Sequence, residues 1–394
     1  MQNRSSATIR QSNTDAVYWF IFSRGSASIR DIAEGLDLSL PTVNQHLRKL
    51  QSARLISASG VMNSTGGRKA RAFSVDTGHW LALGIDVTRR SLSVVGVNLM
   101  GELVFHHRIR ASFENTDAYY DFLGAFVLDN LRAEGFTEKN VLGAGISLPA
   151  ILSESGDCAV NSAPLGEMVI HLSAFSRVLP FPCSLHNDAS AGGYAAFFTL
   201  KSFPPLGNGS MVYLSVSDTV GGAIMIDGRM YPGTQKHSAE FGHMTLHPGG
   251  EPCYCGQRGC AYVYINTRRL SEVAGGELKR FFELLKADDP ACRQAWDRYL
   301  ADLSMVIGNI RTALDCSVVI GGYLGWYIGP YMADVRARLA QRNMFEKSGD
   351  YAIACTKVIE ITAVGAALSC QHAAIQNMIA GGCADIAADD SADP

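Results

Sequence analysis

Nowhere in the 394 residues does an apolar run reach the roughly 20 residues that a membrane-spanning helix needs. The opening stretch, MQNRSSATIR, has no apolar core of the kind that drives secretion. Both absences point to a cytoplasmic protein, and they change how its ten cysteines read. In a reducing compartment thiols bind metal or pack as small apolar groups. Net charge is also nearly missing, at −3. That near-balance hides two unlike parts. Residues 1–75 carry ten Lys/Arg against four Asp/Glu, whereas the rest carries 24 against 33. A small basic head on a larger acidic body suggests that the head alone meets an anionic polymer. With 47% hydrophobic residues the chain can build two or three cored domains.

The densest chemistry lies between Glu240 and Cys260, EFGHMTLHPGGEPCYCGQRGC. His243, Cys253, Cys255 and Cys260 fall within that one short run. Three thiolates and one imidazole make a closed tetrahedral shell for a structural Zn2+. The glycines of Cys255-Gly256-Gln257-Arg258-Gly259-Cys260 let the backbone turn sharply enough for two sulfurs to converge. Cys158, Cys183, Cys292, Cys316, Cys355, Cys370 and Cys383 are scattered and read as core residues.

In the head, Asn13 to Ser23 reads as a helix with Val17, Phe20 and Ile21 on one face. Ile29 to Gly35 reads as a second helix, followed by a turn. Ser39 then stands at an N-cap position before Leu40-Pro41, where a proline has no helical hydrogen bond to lose. The third helix runs to about Gln51, with Val43, Leu47 and Leu50 inward. Pro41, Thr42, Asn44, Gln45 and Arg48 face outward. Asn and Gln can pair with adenine edges in the major groove, which suits a helix of this size. Leu55 to Val75 reads as two strands around the basic tip Asn63-Ser64-Thr65-Gly66-Gly67-Arg68-Lys69, a wing whose Arg68 could enter a minor groove.

These patterns carry a resemblance. The run E-x-G-H followed by C-x-C-G-x-x-G-C, matched from Glu240 to Cys260, is similar to the zinc motif of the ROK family of sugar kinases and sugar-responsive repressors. The head resembles a winged helix-turn-helix, closest to that of ROK regulators, with Ser28-Ile29-Arg30-Asp31-Ile32-Ala33 and Leu38-Ser39-Leu40-Pro41-Thr42-Val43 in place. Ser184 to Ala189 resembles the family's N-D-A box, and Val364-Gly365-Ala366-Ala367 its G-A-A close. The resemblance implies a winged helix-turn-helix over residues 1–75 and a two-lobed, actin-like, ribonuclease-H-like α/β ROK body over 76–383. An acidic tail, 384–394, would be disordered. It also implies a sugar site at Asn187, Asp188, Glu240 and His243. His243 would bind zinc through one ring nitrogen and a sugar hydroxyl through the other.

Three departures bear on function. The kinases of the family follow their first aspartate with D-x-G-G-T, but Asp86 is followed by Val87-Thr88-Arg89-Arg90. The second phosphate loop, G-T-G-x-G, is replaced by Ser217-Asp218-Thr219-Val220-Gly221, which sets a carboxylate where phosphate would sit. A family glutamate that contacts sugar is replaced by Tyr262. The expectation is a non-enzymatic regulator, a repressor acting on a DNA operator as a homodimer or dimer of dimers with a sugar effector. The alternative is a sugar kinase that retained a DNA-binding head, supported by Asp86, Asp188 and the metal motif. A ligand-independent architectural DNA-binding protein is the third reading.

Overall fold

A computed structural model describes residues 6–62, 70–162, 164–200, 209–342, 347–355 and 360–381. The expected wing tip with Arg68, and the tail from 384, lie outside the described residues.

The head is three helices, Ser6–Arg24, Ile29–Leu36 and Leu40–Ser52, and a small sheet. Local chemistry sets each boundary. Ser28 accepts from the Asp31 amide and Asp31 accepts from the Ser28 amide at 2.9 Å, a reciprocal cap. Asp37, at φ 52°, closes the second helix in the left-handed region. Ser39 Oγ accepts from the Thr42 amide at 3.3 Å, with proline in the first turn, as the sequence predicts. Strands Ile56–Met62 and Ala70–Val75 pair antiparallel, and Ser26–Ser28 adds a third strand on the far side of Ala70–Val75. That third strand is too short to show alternation in the sequence. The first helix starts at Ser6 rather than Asn13 because its polar first turns carry no apolar periodicity.

The body has two five-stranded sheets. The first runs Cys183–Asn187, Val141–Leu148, Leu81–Val87, Ser91–Asn98, Leu103–Arg110 in spatial order. The second runs Arg229–Met230, Val220–Ile226, Met211–Val216, Ser317–Gly321, Ala352–Ala354. The stretch Leu81 to Leu99 is two antiparallel strands. Every residue of Leu81–Val87 and Ser91–Asn98 is buried, so no alternation marks the break. Thr88 makes it: its hydroxyl oxygen accepts from the Ser91 amide at 3.1 Å while its own amide donates to the Ser91 carbonyl at 3.0 Å.

Between the sheets lie two helices, Asp188–Leu200 and Ile361–Gly381, packed against each other. Asp188–Leu200 lies on the second sheet and Ile361–Gly381 on the first. The approach is close because glycines permit it. A methyl at Gly84 would stand 1.9 Å from the Ala363 carbonyl oxygen, and one at Gly365 would stand 1.7 Å from that of Ala191.

The head's last strand ends at Val75 and the body's first begins at Leu81, yet the packing continues across that join. Ile375 and Ile379, in the last turns of Ile361–Gly381, are buried in the same cluster as Val17, Ile21, Leu47 and Leu50 of the head. Each such side chain contributes about 1.5–3 kcal/mol when taken from water. Lys49 Nζ donates to the Ile379 carbonyl at 2.6 Å, and Trp80 Nε1 donates to that of Ala53 at 2.9 Å. The head is therefore seated on the body through the C-terminal part of one helix.

Candidate metal centre and interlobe cleft

His243 ends a single turn, Phe241–His243, and the three cysteines follow on a folded loop. Gly256 at φ 86° and Gly259 at φ 79° make the turns that a side chain would strain. Cys253 N donates to the Gln257 carbonyl at 2.8 Å, and Leu246 N to that of Gly259 at 2.7 Å, so both ends of the loop are pinned.

The four expected ligands converge. One ligand atom from each of His243, Cys253, Cys255 and Cys260 lies within 4.8 Å of every other. Cys255 Sγ is 3.7 Å from Cys260 Sγ, and Cys253 Sγ is 3.8 Å from His243 Nδ1. A tetrahedron with metal–sulfur bonds of about 2.3 Å has edges of about 3.8 Å, so the donor set fits a zinc-sized cation. The Gln257 amide holds the Cys255 thiol below its ordinary value. Burial pushes Cys260 up to about 12, so that sulfur ionises most readily when a cation is present.

His243 has its second ring nitrogen engaged. Nε2 lies 3.0 Å from the Tyr254 hydroxyl rather than open to the cleft. Tyr254 is a residue that the sequence reading passed over, although it stands between two of the ligands.

The cleft side is built by strand Cys183–Asn187 running into helix Asp188–Leu200. Asn187 Oδ1 accepts from the Ser190 amide at 2.9 Å, an Asx cap. Its Nδ2 donates to the Ala150 carbonyl at 3.1 Å and to Asp188 Oδ1 at 3.3 Å. In this arrangement Asn187 orients its neighbour. The Asp188 carboxyl is withdrawn from solvent, although the residue as a whole is only half-buried. Burial, and then the Asp86 charge, push it up to about 7, with Glu240 adding to the rise. Asp86 is pushed up to about 6 by burial and is steadied by the Thr362 hydroxyl at the start of Ile361–Gly381. Asp86 and the exposed Glu240 thus both lie within electrostatic reach of Asp188.

Both segments at the phosphate-loop positions are closed on themselves. Thr88 accepts from the Ser91 amide, as above, and its hydroxyl also approaches the Arg90 amide at 3.4 Å. In the second segment Ser217 N donates to the Thr219 carbonyl at 2.8 Å. Ser217 Oγ accepts from the Tyr323 amide at 3.0 Å, and Asp218 accepts from the Thr267 hydroxyl at 3.0 Å. Nearby, Arg108 bridges Ser91 Oγ at 3.1 Å and the Glu360 carboxylate at 3.0 Å. None of Arg108, Glu360 or Thr362 carried a local signal in the sequence; each meets its partner only through the fold.

On the head, Pro41, Asn44, Gln45 and Arg48 line one shallow concavity of ≈ 520 Å³. Ser39 and Thr42 open the same helix with their hydroxyls 2.8 Å apart, and Asn44 Nδ2 donates back to the Leu40 carbonyl at 2.9 Å. Gln45 and Arg48 are exposed and have no partner among the described residues.

Comparison with known proteins follows this division. Residues 82–369 match the ROK family, and residues 20–58 match the bacterial regulatory protein, arsR family. The xylose repressor of Caldicellulosiruptor bescii is 23% identical over 394 residues, which span 94% of this chain and 97% of that protein. Two xylose repressors, of Bacillus spizizenii and Bacillus subtilis, are matched over just under two thirds of their own length. An N-acetylmannosamine kinase of Escherichia coli is 25% identical over 270 residues, 66% of this chain and 88% of its own. A crystal structure described as a ROK family transcriptional regulator, homolog of the E. coli MLC protein, superimposes with a TM-score of 0.75 at 18% identity, covering 94% of this chain and 99% of the other. At that identity the likeness speaks for the fold, head included. Since the family match runs without a break through both sheets, the cleft and the cysteine loop, the chain belongs to the ROK family.

Proposed function

We propose that this protein is a transcriptional repressor whose head binds an operator and whose body senses a sugar or sugar derivative. The observation that carries this reading is the course of helix Ile361–Gly381. It starts at the cleft, where Thr362 meets Asp86, and ends inside the head, where Ile379 receives Lys49 of the helix Leu40–Ser52. Helix Asp188–Leu200 runs beside it from Asp188 to Phe198, whose ring lies 5.6 Å from Phe22 of the head. Anything that moves Asp188 is two packed helices away from the DNA-reading face.

In this reading Ser39, Pro41, Thr42, Asn44, Gln45, Arg48 and Arg68 meet DNA. Asn187, Asp188, Glu240 and His243 serve the sugar. Zn2+ held by His243, Cys253, Cys255 and Cys260 braces the rim of the pocket. Four protein ligands leave no open coordination position, so the metal is structural and supplies no Lewis acid. A homodimer would place two heads on half-sites about one turn of DNA apart, roughly 34 Å. In this reading phosphoryl transfer has been lost, because the amides of Thr88, Arg90, Ser91 and Ser217 are engaged within their own turns and the Asp218 carboxylate stands where phosphate would sit.

The test is fluorescence anisotropy of the full chain on DNA flanking its own gene, with D-xylose, D-glucose and N-acetyl-D-mannosamine added in turn. At least one sugar should weaken binding about tenfold, a coupling of about 1.4 kcal/mol. Operator affinity that ignores all three would count against this reading. The kinase reading retains one favourable observation: an aspartate pushed up to about 7 in the cleft has the acidity of a general base. ADP release with ATP and the same sugars decides between them, and turnover would favour the kinase.

A further inference from the structure

We propose that Tyr254 is a built-in occupant of the sugar pocket: its hydroxyl holds the position on His243 Nε2 that a sugar hydroxyl takes, so that binding is an exchange on one ring nitrogen. This rests on the sugar site proposed above and adds to it how the site is kept filled. His243 turns Nδ1 to the cysteine cluster, 3.8 Å from Cys253 Sγ, which leaves Nε2 as the only face it can offer to the cleft. With Nδ1 committed to a cation, Nε2 carries the proton and donates. Its acceptor in this structure is the Tyr254 oxygen at 3.0 Å. One N–H serves one good acceptor at a time, so the phenol and a sugar hydroxyl exclude each other.

The way Tyr254 is held suits exchange. Its backbone is fixed between Cys253 and Cys255, but the residue is 64% exposed. Among the described residues its ring makes edge-on contacts with two aromatic rings, His243 at 5.2 Å and 75°, and Tyr262 at 4.9 Å and 89°. Little buried area resists rotation about its side-chain bonds. Tyr262 is the opposite case: it packs against the core of the second lobe, and its hydroxyl accepts from Arg268 Nη2. Tyr262 is therefore a fixed wall and Tyr254 a movable one. A pyranose bound here would have Glu240, within electrostatic reach of both Asp188 and Tyr254, and the released His243 as hydrogen-bonding groups, with the Tyr254 and Tyr262 rings beside them. That favours a sugar with hydroxyls along one edge and a bare C–H face.

The experiment uses the full-length, zinc-loaded protein and its Tyr254→Phe variant, which keeps the ring and removes the competing oxygen. Calorimetric titration with D-xylose, D-glucose and N-acetyl-D-mannosamine should give about tenfold tighter binding in the variant for whichever sugar binds, the worth of one net hydrogen bond. Metal content should stay at one ion per chain. A second readout needs no sugar: nitrogen-15 NMR should show a slowly exchanging His243 Nε2 proton in the wild type that is lost in Tyr254→Phe. Equal or weaker sugar affinity in the variant overturns the exchange, and so does an Nε2 proton unchanged by the substitution. If none of the three sugars binds either protein, the pocket reading falls and the exchange falls with it, whatever the NMR shows.

Discussion

Asp188 is held where burial and a neighbouring charge both oppose its ionised form. Its carboxyl is raised from the ordinary 3.8 to about 7. Below pH 4 the group is protonated in the folded and the unfolded chain alike, and nothing is lost. As pH rises the unfolded chain releases the proton first. The folded chain therefore loses stability from about pH 4 upward, and the loss is complete above about pH 7. At roughly 1.4 kcal/mol per unit of displacement this amounts to a few kcal/mol. Asp188→Asn should therefore be more stable than the parent at pH 8 and nearly equal to it at pH 4, as read by urea unfolding. A variant less stable at pH 8 would show that the carboxylate is stabilised in the fold by something else. Cys260 invites a second test. It is fully buried within the ligand cluster. Cys260→Ser should drop bound zinc from one per chain to near zero by elemental analysis and lower the melting temperature. Zinc retained in full would remove Cys260 from the shell. Of these sites, the metal cluster was legible in the sequence because ligand type and close spacing are local facts. The partners of Asp86 were not, because Thr362 and Glu360 reach it only after the chain has folded through both lobes.

At the scale of elements, the caps did most of the work that sequence can do. Ser28 with Asp31, and Ser39 with Pro41, start their helices where the residue types require. Periodicity failed where its assumption failed. The break between Leu81–Val87 and Ser91–Asn98 is invisible to it because both faces are covered. The most consequential element, Ile361–Gly381, reads as an ordinary apolar terminal helix. Its importance comes from what its two ends touch. The contact at its far end is a buried-edge, charge-assisted hydrogen bond from Lys49, of a kind worth about 1.5–3 kcal/mol. Removing it with Lys49→Met should loosen the seat of the DNA-reading helix. Amide exchange across Leu40–Ser52 should then quicken by about tenfold or more, measured by mass spectrometry, while exchange in the body sheets stays as it was. Unchanged protection in that helix would mean that Ile375 and Ile379 suffice to seat the head.

For the molecule as a whole, a sugar can alter DNA affinity only if the two ligands prefer different arrangements of the same chain. The arrangement described is tied by ion pairs and hydrogen bonds within and across the lobes. Arg108 pairs with Glu360 and so fixes the start of the closing helix on the first lobe, while Lys236 of the second lobe crosses to donate to the Ser153 and Glu154 carbonyls of the first. A ligand settling on Asp188 changes the load on a helix whose other end is wedged against the head. There Phe198 stacks edge-on with Phe22 and lies 5.3 Å from His372, which in turn meets Trp19 at 5.1 Å. This aromatic group belongs to neither binding surface, so it can be altered without touching sugar or DNA. Phe198→Leu keeps an apolar side chain there and removes the ring contacts. Sugar affinity by calorimetry and operator affinity without sugar should each stay within about twofold. The factor by which sugar weakens operator binding should fall from about tenfold toward one, because coupling is carried by packed contacts that have two arrangements. Should that factor survive intact while the variant folds normally, the signal must travel between subunits instead of through the helix pair.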